Sequence, residues 1–410
     1  MTLPPKRDPR RRARVPTLPP QPRSRAALGL DAAAGEGRFA LQHCAECGAV
    51  QWPPRDACRA CLSTDLPWRE TDRSAEVLSV STVHISPEPY FRERAPWRVG
   101  MARLAAGPSV MAHLHPALRR GDAARMALRI DKSGRGVMWA EPPETAEEDP
   151  RMRDFAADPR GRRVLIADAT APTGPALVRA FVEAGAAIVF AGAPERWTRP
   201  AGLDALPGIG TVQTAPLDVT DEDSLRDAAG AIGGKTDIVI YNAARAKPGD
   251  LLSRRGTVEA RREMETGYLG LLRLAQAFGP GMRARGADGP ANAAAWATLL
   301  PVGAVAPMAG WAGQSAAAAA TLSATLALRG EMGGGGVRVC TAFHGPVEEE
   351  WRQGEPPPKL SPAALARGVV AMLREGREEA WIGDVAEDVR TRREQSSAIH
   401  DREAQEAFRR

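Results

Sequence analysis

Four cysteines fall at spacings that suit a metal ion. Cys44 and Cys47 form one CxxC and Cys58 and Cys61 a second, with ten residues between the pairs in HCAECGAVQWPPRDACRAC, residues 43–61. Each pair can close a tight knuckle whose thiolates point at one ion. Two facing knuckles complete a tetrahedral S4 set, which suits Zn2+ in softness and geometry. Gly48 follows the first knuckle, where a left-handed backbone is often needed. Protein fills all four positions, so the spacing predicts a structural zinc with His43 a bystander. The opening residues hold no apolar leader segment, so the clustered cysteines read as metal ligands rather than disulfides, in a cytoplasmic protein.

A knuckle pair needs a framework. The pattern predicts a leading helix and ribbon over residues 24–65, with the helix running from Ser24 to Leu41. Over residues 66–143, Val77–Ile85, Trp97–Ala105, Ser109–Leu114, Arg125–Ile130 and Val137–Ala140 read as short strands between turn signals such as AAGP and DKSGRG. Five short strands in this span predict a small barrel. The CxxCG, the Pro53-Pro54-Arg55 turn, the second CxxC and the strand PWRVGMARL together resemble the thiolase-associated rubredoxin-like zinc-ribbon/OB-fold family over roughly residues 25–143. The resemblance implies a small partner of a thiolase-fold enzyme that docks beside the acyl-CoA channel while the partner does the chemistry. OB barrels also bind single-stranded nucleic acid, and Trp68, Tyr90, Phe91 and Trp97 could stack on bases. The barrel region lacks a dense basic stripe, so these aromatics read as core or interface residues instead.

Residues 144–160 are acidic and proline-rich and read as a linker. Strands then alternate with helices over residues 161–385, the rhythm of a doubly wound parallel sheet. GAAIVFAG, Asp218-Val219, Asn242-Ala243-Ala244, SATLALRGEM and VRVCTAFHGPV resemble, in that order, landmarks of the short-chain dehydrogenase/reductase family. The resemblance implies a phosphate loop TGxxxGxG and a Ser, Tyr, Lys and Asn that do the chemistry. Here the loop reads ADATAPTG, with Asp168 and Pro172 on the first two glycine positions and only Gly174 kept. Proline offers no N–H to a pyrophosphate, and a carboxylate repels one. The YxxxK span reads QSAAA, so Gln314 stands for the Tyr and Ala318 for the Lys; the Ser position falls near Pro301 and the Asn position on Gly267. No proton donor for a carbonyl remains among them. The expectation is a domain without dehydrogenase activity, with no catalytic residue and no NAD(P). Cys340 reads as a buried thiol and His344 as a solvent-lined loop residue.

The expected architecture is therefore a zinc ribbon plus a small all-β OB-like barrel, then an α/β Rossmann domain. A disordered basic arm (1–23) and a charged tail (386–410) flank it. The first 25 residues carry eight basic groups against Asp8, so the remainder of a chain of net charge +5 is slightly acidic and no basic nucleic-acid binder. The uncharged run Gly289–Leu328 is broken by Pro301 and Pro307 and rich in Ala, so it reads as a buried strand and an interface helix, not a membrane span. The resemblance to short-chain dehydrogenases implies that the long helices near 257–284 and 312–332 pair with a second copy or with an active short-chain dehydrogenase. The function these readings converge on is a non-catalytic scaffold subunit of a thiolase-type acyl-CoA complex. An NAD(P)-dependent reductase with an atypical site and a nucleic-acid-binding ribbon/barrel are the alternatives.

Overall fold

The structure is a computed structural model that describes residues 17–20, 24–144, 150–194, 211–253, 256–286, 292–355 and 358–408. Most of the expected basic arm lies outside them, but Thr17 donates a hydrogen bond to Glu93 at 2.7 Å. The chain divides into two units, Thr17–Ala156 with Glu375–Arg377, and Ala157–Arg374 with Glu378–Arg410.

In the first unit a short helix, α1 (Leu28–Gly35), leads into three ribbon strands, β1 (Ala40–His43), β2 (Val50–Gln51) and β3 (Trp68–Glu70), in the order β2-β1-β3. The expected helix from Ser24 to Leu41 is too long at its C-terminus. Gly37 takes a left-handed φ of 75°, and Ala40–Gln42 pair with β3 instead. Five strands close the barrel in the order β4-β5-β6-β8-β7: β4 (Ser74–Val83), β5 (Trp97–Leu104), β6 (Ser109–Leu114), β7 (Ala123–Ile130) and β8 (Gly136–Glu141). Along β6 every second residue is buried, so Val110, Ala112 and Leu114 join Leu30, Phe39, Val77, Leu104 and Met126 in one core. A helix α2 (Pro89–Glu93) sits between β4 and β5. Residues 150–156, read as linker, instead fold onto the barrel. Phe155 is buried against Trp97 and Trp139, and Asp154 accepts from Arg94 at 2.7 Å. An apolar ring with a partner cavity is not free to behave as solvated linker.

The second unit holds a seven-stranded parallel sheet, in the order β11-β10-β9-β12-β13-β14-β15. Its strands are β9 (Arg163–Ile166), β10 (Ile188–Ala193), β11 (Val212–Pro216), β12 (Ile238–Tyr241), β13 (Ala295–Pro301), β14 (Arg338–His344) and β15 (Glu379–Ile382). Continuous burial along β12 and β13 is what a sheet covered on both faces demands. The covering helices are α3 (Gly174–Glu183), α4 (Glu222–Ile232), α5 (Val258–Met264), α6 (Gly270–Arg285), α7 (Ala312–Gly333) and α8 (Pro362–Glu375). Among the described residues no helix is long and apolar enough to cross a membrane. The charged C-terminus is a helix, α9 (Asp384–Ala407), bent at Ser396. Its first turns are not a solvated tail: Ala386 and Val389 pack with Val302 and Ala306.

Candidate metal centre and remodelled nucleotide site

The four cysteine ligand atoms lie within 4.8 Å of one another. Cys44 Sγ is 3.5 Å from Cys61 Sγ, and Cys47 Sγ is 3.6 Å from Cys58 Sγ. These gaps are far too long for disulfides. A tetrahedral S4 ion with bonds of ~2.3 Å requires sulfurs about 3.8 Å apart, so the residues fit zinc without rearrangement.

Backbone geometry builds each knuckle the same way. The Gly48 N–H returns to Cys44 O at 2.9 Å and the Leu62 N–H to Cys58 O at 3.0 Å. The residue after each second cysteine is left-handed, with φ of 72° at Gly48 and 65° at Leu62. Backbone N–H groups of Cys61 and Ala60 point at Cys58 and pull its thiol down to about 6, and that of Cys47 lowers Cys44. Cys61 receives the N–H of Ser63, but its neighbouring sulfurs override this and push its thiol up to about 12. Four sulfurs this close cannot all ionise without a cation between them. Because the thiolate form binds, occupancy is expected to fall as pH falls: a chromophoric chelator should extract zinc faster at pH 5 than at pH 7. Equal extraction at both would contradict a thiolate centre. His43 sits aside, with Nε2 3.0 Å from Thr71 Oγ1.

In the second unit, the positions assigned by spacing converge. Gly267, Pro301, Gln314 and Ala318 all line one cavity of about 20 Å3 beside Tyr241. Such a space holds one water at most. It is closed from several sides. A π-helical turn, Glu265–Leu269, joins α5 to α6 and turns the Thr266 and Gly267 carbonyls out of the α-helical pattern. Tyr241 donates its hydroxyl to both carbonyls, and burial pushes its phenol far up. Gln314 Oε1 accepts from Arg352 at 2.9 Å. Arg352 is 3% exposed, stacks 3.8 Å over the Trp311 ring, and pairs with Glu349 at 3.1 Å and Glu355 at 3.0 Å. Nothing in the sequence marked Arg352, since the segment after β14 carries no periodic pattern; Trp311 was equally silent.

The strand-to-helix loop after β9 is remodelled too. Asp168 Oδ1 accepts from the Thr170 N–H at 2.8 Å, the Thr170 hydroxyl at 2.6 Å and the Ala171 N–H at 3.0 Å. The carboxylate therefore sits where loop amides would otherwise present themselves to an anion. Asn242 fixes this arrangement, accepting from Asp168 N at 3.0 Å and donating to Asp168 O at 2.7 Å. Gly174 remains because a Cβ there would meet the Ala169 carbonyl at 2.4 Å. Beside the loop a cleft of about 280 Å3 survives, lined among others by Asp168, Pro194, Asp218, Arg245 and Arg262. Cys340 is fully buried and its thiol is pushed up to about 12, as an inert core cysteine. His344 is half-buried at a strand end rather than on a loop. It ends β14, its Nδ1 lies 2.8 Å from Gly345 O, and burial pushes it down to about 4. Of the four aromatics considered for stacking, Tyr90 and Trp97 are buried; Phe91 packs edge-on to Trp97 at 5.6 Å.

Comparison with known proteins follows the two units. Residues 31–67 match the family described as ChsH2, rubredoxin-like zinc ribbon domain, and residues 68–129 the family described as ChsH2, C-terminal OB-fold domain. Similar solved structures include a short-chain dehydrogenase from Burkholderia cenocepacia J2315 in complex with NADP. It is 27% identical over 59% of this chain and 97% of that one, with a TM-score of 0.53. A short-chain dehydrogenase from Streptomyces avermitilis is 23% identical over 60% of this chain and 98% of that one, at a TM-score of 0.50. No curated protein matches the chain by sequence. Residues 169–376, just over half of the chain, match the family described as enoyl-(acyl carrier protein) reductase, so with this fold and these landmarks the chain belongs to that short-chain dehydrogenase/reductase family and carries a ChsH2-type zinc ribbon and OB-fold ahead of it.

Proposed function

We propose that this protein is a non-catalytic accessory subunit of a thiolase-type acyl-CoA complex. The ribbon and barrel dock on a thiolase-fold subunit beside its acyl-CoA channel, and the dehydrogenase-like unit serves assembly. The observation that carries this reading is the convergence of Gly267, Pro301, Gln314 and Ala318 on a cavity too small for a substrate. General acid–base chemistry needs a titratable group in reach of the substrate carbonyl, and a glutamine and an alanine supply none. Zinc at Cys44, Cys47, Cys58 and Cys61 is structural in this reading, and NAD(P) is not a cofactor. The dehydrogenase-like unit pairs through α6 and α7, with its own copy or with an active relative. The second pairing has a chemical logic: a dehydrogenase makes a 3-ketoacyl-CoA and a thiolase cleaves it. Neither a membrane nor a nucleic acid is among the partners, and a cytoplasmic location follows.

The cleft beside Arg245 and Arg262 favours one alternative, a nucleotide bound without catalysis. Calorimetry with NADH and NADPH at millimolar ligand separates the two. The wild-type chain is expected to show no saturable binding. A unit charge ~4 Å from a phosphate at an effective dielectric of ~20 costs about 4 kcal/mol, roughly a thousandfold in affinity. Asp168→Gly removes that charge and releases the Thr170 and Ala171 amides, so it should gain anion affinity while turning over no substrate. Saturable micromolar binding by the wild-type chain would defeat the claim. Co-purification with a thiolase-fold protein tests the docking half.

A further inference from the structure

Among the described residues one residue other than glycine takes a left-handed backbone, and it stands at the tip of the second cysteine knuckle. Leu62 has a φ of 65°, against 72° at Gly48, its counterpart after the first CxxC. The knuckle imposes this conformation: the Leu62 N–H returns to Cys58 O at 3.0 Å, and the Cys58 N–H bonds Ser63 O at 2.8 Å. A residue with a Cβ is disfavoured there by a factor of roughly 5–30, and leucine has no polar side-chain group to offset this as asparagine has.

Nothing inside the chain offsets it either. Leu62 is 78% exposed and joins neither apolar cluster of the first unit. A Cβ on Gly48, the matching tip, would meet nothing within 4 Å, so packing asks for no side chain at that tip. The second tip holds a large apolar side chain that is strained, exposed and without an internal use. A feature disfavoured twice by the fold, and used by no internal contact, points to an external one.

The tip also has the properties of an anchor. Its backbone is already fixed by the knuckle's hydrogen bonds, so little main-chain freedom is lost when the side chain is covered. Arg59, Thr64 and Asp65, all exposed, flank it in sequence and can supply the polar rim of such a contact. Membrane attachment takes a broad apolar face with basic groups around it, which one leucine beside an aspartate does not offer. A single apolar side chain on a rigid turn suits a pocket in a folded protein.

We propose that Leu62 is the anchor by which the ribbon holds its partner: the side chain inserts into an apolar pocket of the thiolase-fold subunit. Glycine would relax the turn and leave that pocket empty, which is why leucine is kept. The proposal rests on the docking reading above for the identity of the partner.

The test compares the wild-type full chain with Leu62→Gly and Leu62→Ala. Glycine removes both the strain and the apolar group, whereas alanine keeps the strain and removes the group. Amide hydrogen exchange at the Leu62 and Cys58 N–H groups reports on the knuckle itself. Protection in Leu62→Gly should equal that of wild type or exceed it severalfold, because relief of strain is partly offset by the freedom of glycine in the unfolded chain. Calorimetry then measures affinity for the thiolase-fold subunit that co-purifies with the wild-type chain. Both variants should bind at least tenfold more weakly, as expected when an anchor is truncated and its pocket left empty. Faster exchange in both variants would give Leu62 an internal role and overturn the proposal. So would a loss of affinity below tenfold in either variant. If no thiolase-fold subunit binds the wild-type chain, the docking reading and this anchor fall together; if it binds wild type and variants alike, the anchor falls alone.

Discussion

Cys44→Ser and Cys61→Ser are expected to abolish stoichiometric zinc and to unfold the ribbon, the largest single-residue effect in the chain. A structural zinc contributes on the order of 10 kcal/mol to the fold that binds it. The ribbon has little else to hold it. Its strands are two to four residues long, and the cysteines stand within 4.8 Å of one another, so without an ion the sulfurs crowd. β1 contributes Ala40 and Leu41 to the core of the first unit, so damage should spread into the barrel and lower its melting temperature. Elemental analysis should give one zinc per wild-type chain and a large loss in either variant. Limited proteolysis should open the 44–62 segment. Cys340→Ala is the control, because Cys340 sits in the core of the other unit and ligates nothing. Full zinc content or normal folding of both serine variants would refute a structural metal centre.

Ala318→Glu and Ala319→Glu, one residue apart on α7, should fail in opposite ways. The alanine run invites the view that any of its members faces a partner. Ala318 does not: it is 6% exposed and packs with Leu300, Ala304 and Phe343 inside the unit. A glutamate there buries an unpaired carboxylate, costing about 3–5 kcal/mol, and should destabilise or unfold the second unit as a monomer. The outward face of α7 is Ala316, Ala319, Ser323 and Ala327, one stripe at helical spacing, with Leu326 48% exposed. Ala319→Glu on that stripe should leave the monomer's unfolding free energy within about 0.5 kcal/mol of wild type and split any assembly made through α7. Thermal melts and size-exclusion chromatography read the two outcomes. A stable Ala318→Glu chain would contradict its core placement. An Ala319→Glu variant that still associates would remove α7 from the interface.

Much of this protein was written in its sequence. The cysteine spacing determined the convergence of the four sulfurs, because a CxxC knuckle is local: four residues and one left-handed position decide where two sulfurs point. Strand and helix periodicity determined both domains, since burial on one face or on two is imposed by covalent period. Ser109–Leu114 was legible to the residue. That Gly267, Pro301, Gln314 and Ala318 meet in one place was also legible, because those positions are counted from landmarks along the chain.

What tertiary structure alone decided are the contacts made across long sequence separation. Residues 150–156 have linker composition, yet Phe155 finds an aromatic cavity on the barrel. The charged C-terminus hides two buried residues in its first turns. Asp168 reads in sequence only as a repulsive charge, and in the fold it also occupies the loop's own amides. Arg352 fills space beside Gln314 across 38 residues, a pairing no local pattern encodes. Which face of the alanine run points inward was likewise undecided, because alanine carries no amphipathic signal: a helix of small residues is oriented by what packs on it, and only Leu300, Ala304 and Phe343 determine that Ala318 is core.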